Sequence, residues 1–198
     1  GRHAVIAALA NPDRVVRKED FPEADVRLWS EGFQPILDVI REARDTPVCL
    51  LATGDPMHYG IGATLARHFG RDEMEILPSL SAYSLAAARL GWALQDVDCI
   101  SLHGRPAEKL VVSLAPFRKI LAYTSGAVTI REAADILVTN GYAASRIQVL
   151  EHMGGPKERI VAHTVETAKA HSGSEFNTLA IECIADGSAR YMPLVAGL

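Results

Sequence analysis

Four loops carry the residues whose types and spacing could do chemistry: 53–62 (TGDPMHYGIG), 78–82 (PSLSA), 123–126 (YTSG) and 151–156 (EHMGGP). Each follows a short apolar run that reads as a strand. In open α/β sheets, ligands bind beyond the carboxyl ends of strands. Three of the loops contain glycine, which lets backbone approach a ligand closely. The chemistry on offer is binding through backbone and small polar groups.

On residues alone, 53–62 reads as a strand-to-helix turn. Gly54 supplies conformational freedom, Asp55 suits a helix cap and Pro56 fixes the exit direction. The loop lacks the Lys and Ser/Thr of a P-loop, and its glycines miss the dinucleotide spacing. Ser79 or Ser81 suits the cap of a following helix. His103 and Arg105 stand after another strand, flanked by Gly104 and Pro106. They suit a carboxylate-rich ligand, and equally a solvated linker.

Other catalytic sets are missing from the sequence. His152 has no Cys or Ser nucleophile motif beside it, and there is no G-x-S-x-G elbow. No H-E-x-x-H or Cys/His cluster points to a metal. Arg131, Glu132 and Asp135 read as the wet face of a helix, and Trp29 and Trp92 as packing residues.

The elements that must position these loops alternate. Helices are expected over 33–44, 61–69, 81–90, 108–114, 129–140 and 165–170, with Thr129 and Glu132 as a capping box and Gly141 as a stop. Strands are expected over 48–52, 75–77, 99–102, 119–123, 147–150 and 178–183; 4–9 could be helix or strand. Asn11-Pro12-Asp13 is a turn signal. The repeating unit predicts an α/β fold with largely parallel sheets. The least committed stretch, 103–108, places a domain boundary that divides the chain into 1–106 and 107–198.

The composition bounds the rest. The 198 residues are 48% hydrophobic and 22% charged, with a net charge of −4. A chain of this size buries roughly two-thirds of its unfolded surface and needs no disulfides. Cys49, Cys99 and Cys183 lie in or beside apolar runs and read as small buried hydrophobes in a reducing cytoplasm. There is no basic run to hold nucleic acid, no apolar stretch near the roughly 20 residues that span a bilayer and no signal-peptide pattern.

Several blocks, in order, resemble the tetrapyrrole methylase family, in its branch acting on precorrin-6Y. They are TGDPMHYGIG at 53–62, PSLSA at 78–82 leading into LAAARLGW at 85–92, DCISLHGRP at 98–106 and LEHMGGP at 150–156. The resemblance implies two α/β domains with S-adenosylmethionine in the cleft between them, and a homodimer. It implies cofactor contacts at Thr53, Gly54, Asp55, His58, Ser81, Ala82, Thr124 and Met153. It also implies C-methylation, at C-5, of a precorrin or cobalt-precorrin ring in cobalamin biosynthesis, with His103 and Arg105 holding the ring's carboxylates. Nothing before Leu50 resembles the family's opening strand and G-x-G-x-G-D loop. Residues 194–198, LVAGL, resemble the junction at which longer members continue into a second, fused methyltransferase domain. Two further readings stay open: another tetrapyrrole methyltransferase, such as one acting on uroporphyrinogen, and a non-catalytic binding or dimerisation module.

Overall fold

The computed structural model describes residues 3–8, 19, 21–28, 33–43 and 46–191. The chain forms two compact units, Gly1–Ser81 and Ala82–Leu198.

In the first unit, β1 (His3–Ala8), β2 (Ala24–Leu28) and β3 (Val48–Ala52) form a parallel sheet in the order β2-β1-β3. Residues 4–8 are therefore strand. Helix α1 (Phe33–Glu42) buries Ile36 and Leu37, half-buries Ile40 and leaves Asp38, Arg41 and Glu42 wet. Burying a side chain of that size stabilises by about 1.5–3 kcal/mol. Helix α2 (Ile61–Leu65) is shorter than the 61–69 expected. Residues 75–77, expected as a strand, form none. Their apolar run is stopped by Pro78, and it has no partner strand among the described residues. The Asn11-Pro12-Asp13 turn, Trp29 and 194–198 lie outside the described residues.

In the second unit, β4 (Val97–Ser101), β5 (Lys119–Tyr123), β6 (Arg146–Glu151), β7 (Arg159–Thr164) and β8 (Asn177–Glu182) lie in the order β4-β5-β8-β6-β7. Only β4 and β5 are parallel neighbours; β5–β8, β8–β6 and β6–β7 are antiparallel. The expectation of largely parallel sheets therefore holds for the first sheet and fails for the second. The reason is that β6 and β7 are joined by a short turn rather than a helical crossover. The 103–108 stretch, where the sequence places a domain boundary, lies between β4 and β5 of this one sheet.

Both faces of this sheet are covered. Ile120, Ile181 and Ile147 align across three strands, as do Ala122, Leu179 and Val149. These residues pack with Ile130, Ala133, Ala134 and Leu137 of α4 (Ala127–Thr139) and Val165 and Ala168 of α5 (Val165–Ala168). On the other face Leu121, Ala180 and Leu150 meet Tyr83, Ala86 and Ala87 of α3 (Ala82–Leu90) and the buried Trp92. The alternation of faces follows from the two-residue strand period. Residues 107–113 make a 3-10 helix rather than an α-helix.

Helix α4 starts two residues earlier than expected, and its N-cap, Gly126, contributes no side-chain bond. Thr129 is therefore inside the helix, buried, with its hydroxyl accepting the Ser125 N–H at 3.3 Å. The Thr129/Glu132 capping box does not form. The stop is as read: Gly141 has φ +82°, and the Tyr142 N–H donates to Leu137 O at 2.8 Å. A Cβ on Gly141 would lie 2.5 Å from Ala189 Cα.

Candidate functional site

In the first unit the loop after β3 is folded on itself. The Met57 N–H donates to Asp55 Oδ1 at 2.7 Å, the His58 N–H to Asp55 O at 3.3 Å and the Ala63 N–H to Pro56 O at 3.1 Å. Asp55 thus caps its own turn and leaves α2 capped by Gly60 without a side chain, so the helix-capping role expected of Asp55 is not seen. Gly60 is required by close approach: its Cβ would meet Asp55 O and lie 2.5 Å from Pro56 O. Gly54, at φ +65°, is flanked by the 78–81 segment; a Cβ there would rest 3.7 Å from Leu80 O and Ser81 Cα. The first two loops are therefore in reach of one another. Thr53 is half-buried, Ser81 is buried, and the exposed His58 ring stacks on Tyr59 at 5.3 Å. A cavity of about 900 Å³ beside β3 is lined by Leu50, Leu65, Ile76, Gly54, Pro56 and Ser79, among others.

In the second unit β4, β5 and β6 end at one edge of the sheet, and β8 begins there. Ser101, Tyr123, Thr178 and Leu150 stand in a row across it. This edge brings together His103, Thr124, Met153 and Ala82. His103 Nδ1 lies 3.1 Å from Thr124 O and 3.4 Å from Ser125 Oγ. A carbonyl only accepts, so Nδ1 carries the proton. The neutral ring consequently has no lone pair to offer Ser125, and the two are not a nucleophile–base pair. Ser125 Oγ instead accepts the Gly104 N–H at 3.1 Å. Arg105 is exposed, with its backbone N–H on Leu102 O at 3.2 Å.

Thr124 is buried; its hydroxyl donates to Asn177 Oδ1 at 2.7 Å and accepts the Gly126 N–H at 3.1 Å. Met153 is buried in the apolar cluster of Tyr83, Leu121 and Leu150, with Ala82 packed against it. The turn after Met153 is held by Glu158, which accepts the Gly154 N–H at 2.8 Å and the Arg89 Nε–H at 2.6 Å. Those two donors hold the Glu158 carboxyl below the usual range.

Sequence reasoning missed Tyr83, Glu158 and Asn177, and named Glu151 only as the first residue of a candidate loop. The signal lay in polar residues closing or opening apolar strands, as Glu151 closes VLE and Asn177 opens NTLAI. Burial pushes the Glu151 carboxyl up, but Arg159, the Ser174 amide and His171 together hold it lower than usual. The groups around both sets of loops are backbone amides, hydroxyls, the His58 and His103 rings and the Met153 thioether. Such a set binds and orients; it supplies no nucleophile.

Over 169 residues the chain is 43% identical to a decarboxylating precorrin-6Y C(5,15)-methyltransferase of Sinorhizobium sp, a match covering 85% of this chain and 41% of that protein. It is 32% identical over 146 residues to the cobalt-precorrin-7 C(5)-methyltransferase of Salmonella typhimurium, covering 74% of this chain and 71% of that one. The chain spans less than half the length of the first relative. Its fold matches that of a uroporphyrin-III C-methyl transferase from Thermus thermophilus complexed with S-adenyl homocysteine, with a TM-score of 0.63 at 21% identity over 90% of this chain and 84% of that one. Residues 3–169 match the family described as Tetrapyrrole (Corrin/Porphyrin) Methylases, and the chain belongs to that family.

Proposed function

We propose that this chain is an S-adenosylmethionine-dependent C-methyltransferase that methylates C-5 of a precorrin or cobalt-precorrin ring in cobalamin biosynthesis. One observation carries the choice of carbon. The chain aligns to 41% of a relative named for C-5 and C-15, but to 71% of a relative named for C-5 alone. We read the shared part as the C-5 part and assign the C-15 step to the portion of the first relative that this chain does not cover.

When bound, the cofactor supplies an electrophilic methyl group on a sulfonium. The chain's task is to align that methyl with the acceptor carbon and keep water out. We assign the cofactor contacts to Thr53, Gly54, Asp55, His58, Ser81, Ala82, Thr124 and Met153, the residues that the family resemblance implies. The chemistry of the set suits the group: amides and hydroxyls for the adenosyl and amino-acid polar atoms, apolar walls for the thioether and base. His103 and Arg105 bind ring carboxylates; a carboxylate only accepts, so with Nδ1–H on Thr124 O, His103 serves through Nε2–H in its charged form.

No helix among the described residues is long and apolar enough to cross a membrane. We place the protein in the cytoplasm as a homodimer acting on a small molecule.

Isothermal calorimetry with S-adenosylhomocysteine tests the cofactor site, with micromolar binding expected; its absence would leave a non-catalytic module as the better reading. Arg105→Ala should weaken tetrapyrrole affinity while leaving cofactor affinity alone. Unchanged tetrapyrrole affinity removes Arg105 from the site.

A further inference from the structure

A buried polar chain runs along the loop edge of the second unit, and its hydrogen-bond directions are fixed throughout. The ionised Glu151 carboxylate only accepts. It takes Arg159 Nη2 at 2.6 Å on Oε2, and the Ser174 N–H at 2.7 Å and His171 Nε2 at 3.2 Å on Oε1. His171 Nε2 therefore carries a proton, and its Nδ1, when neutral, accepts from His163 Nε2 at 3.0 Å. Further along, Asn177 Nδ2 donates to Ser174 O at 2.8 Å, so its Oδ1 faces the Thr124 hydroxyl as acceptor. The Thr124 oxygen is then left to accept the Gly126 N–H.

Glu151, His171, Asn177 and Thr124 are 2%, 8%, 9% and 4% exposed. A carboxylate buried this deeply costs several kcal/mol unless it is paired. Gly173 passes so close that any side chain there would overlap the Glu151 carboxylate. Stapling the β6–β7 hairpin requires only Arg159 and Glu151. The remaining bonds extend the chain across β8 to the loop after β5.

The geometry points to Asn177 and Glu151 as positioning residues that set the Thr124 loop and the Met153 loop in one arrangement for the cofactor. This rests on the cofactor reading proposed above. Neither residue is placed against ligand: Asn177 acts through Thr124, and Glu151 through the backbone it shares with His152 and Met153. The two loops belong to strands separated by β8, so their spacing is set at its first residue.

The test uses the full chain and two readouts. Asn177→Asp keeps an acceptor for the Thr124 hydroxyl but sets a carboxylate oxygen against Ser174 O, cutting the chain in its middle. S-adenosylhomocysteine affinity should fall about tenfold, the size of one lost buried hydrogen bond. Amide exchange should speed up in both 123–126 and 151–155 without ligand. Thr124→Val cuts the chain at its end and should also speed exchange at 151–155, which keeps the test open if Asn177→Asp does not fold. Unchanged affinity in Asn177→Asp, or faster exchange confined to 171–178, overturns the proposal and leaves a local structural role. If the wild-type chain binds no S-adenosylhomocysteine, the cofactor reading fails and the positioning role with it. The exchange pattern then decides separately whether the loops are coupled.

Discussion

The Tyr83 ring lies flat against the Tyr123 ring, with centroids 3.9 Å apart and planes 11° from parallel. The Tyr83 hydroxyl donates to Ile100 O and accepts the Tyr123 N–H at 3.3 Å. One residue of α3 therefore fastens the ends of β4 and β5 where two candidate loops begin. Tyr83→Phe keeps the stack and removes both hydroxyl bonds to the strand backbone. We expect a loss of about 1–3 kcal/mol, read as a lower urea midpoint with an unchanged slope. An unchanged midpoint would show that the hydroxyl is not a fastener.

Gly60→Ala forces a methyl group against the carbonyls of Asp55 and Pro56. Such overpacking costs about 1–3 kcal/mol. Faster amide exchange over 53–63 and weaker S-adenosylhomocysteine binding should appear together. Normal exchange in the variant would mean that the turn relaxes freely.

Acid should destabilise the second unit in two stages. Burial, and then His171, hold the His163 pKa below its ordinary value, so the fold favours the neutral ring. That contribution is complete above about pH 6.5 and is lost as pH falls below it. The lowered carboxyls of Glu151 and Glu158 add stability above about pH 4.5, which fades as pH falls through their folded values. His163→Gln should remove the upper stage from a plot of Tm against pH and spare the lower one.

The three cysteines should label in sequence. Cys49 is exposed, Cys99 is half-buried and Cys183 is buried. Burial raises the Cys99 thiol, and pushes that of Cys183 up to about 11. With a thiol reagent at pH 8, Cys49 should react first and Cys183 only on unfolding. Early labelling of Cys183 would count against this packing. The exposure of Cys49 departs from the expectation that all three are buried. In the strand 48–52 the burial pattern leaves that one position facing out.

The positions of most strands in the second unit were legible in the sequence because runs such as KILAY are apolar and end in turn residues. Strand direction was not, since nothing in NTLAIE says which way it runs. β7 escaped notice because RIVAHT is an edge strand with alternate residues exposed, too polar to stand out. Three of the four candidate loops could be read from their glycines and their place after strands; 78–82 has no glycine and follows no strand. The polar chain behind them could not: Thr124 meets Asn177 across 53 positions, a pairing only the fold creates. The Thr129 capping box failed for a local reason, because a helix with Gly126 at its start had no need of the later hydroxyl.

β8 is the final strand among the described residues, yet it lies between β5 and β6. A ribosome delivering this chain releases β4, β5, β6 and β7 before the strand that joins them exists. Until residues 177–182 emerge, the β5 edge and the β6 edge both carry open backbone groups, ready to pair with a neighbouring nascent chain. Completion of the sheet is therefore a late event with long sequence separation, which slows folding. A translation stall or a proteolytic cut before Asn177 would leave two adhesive half-sheets, and would hand this protein to the cell's chaperones at its most vulnerable moment.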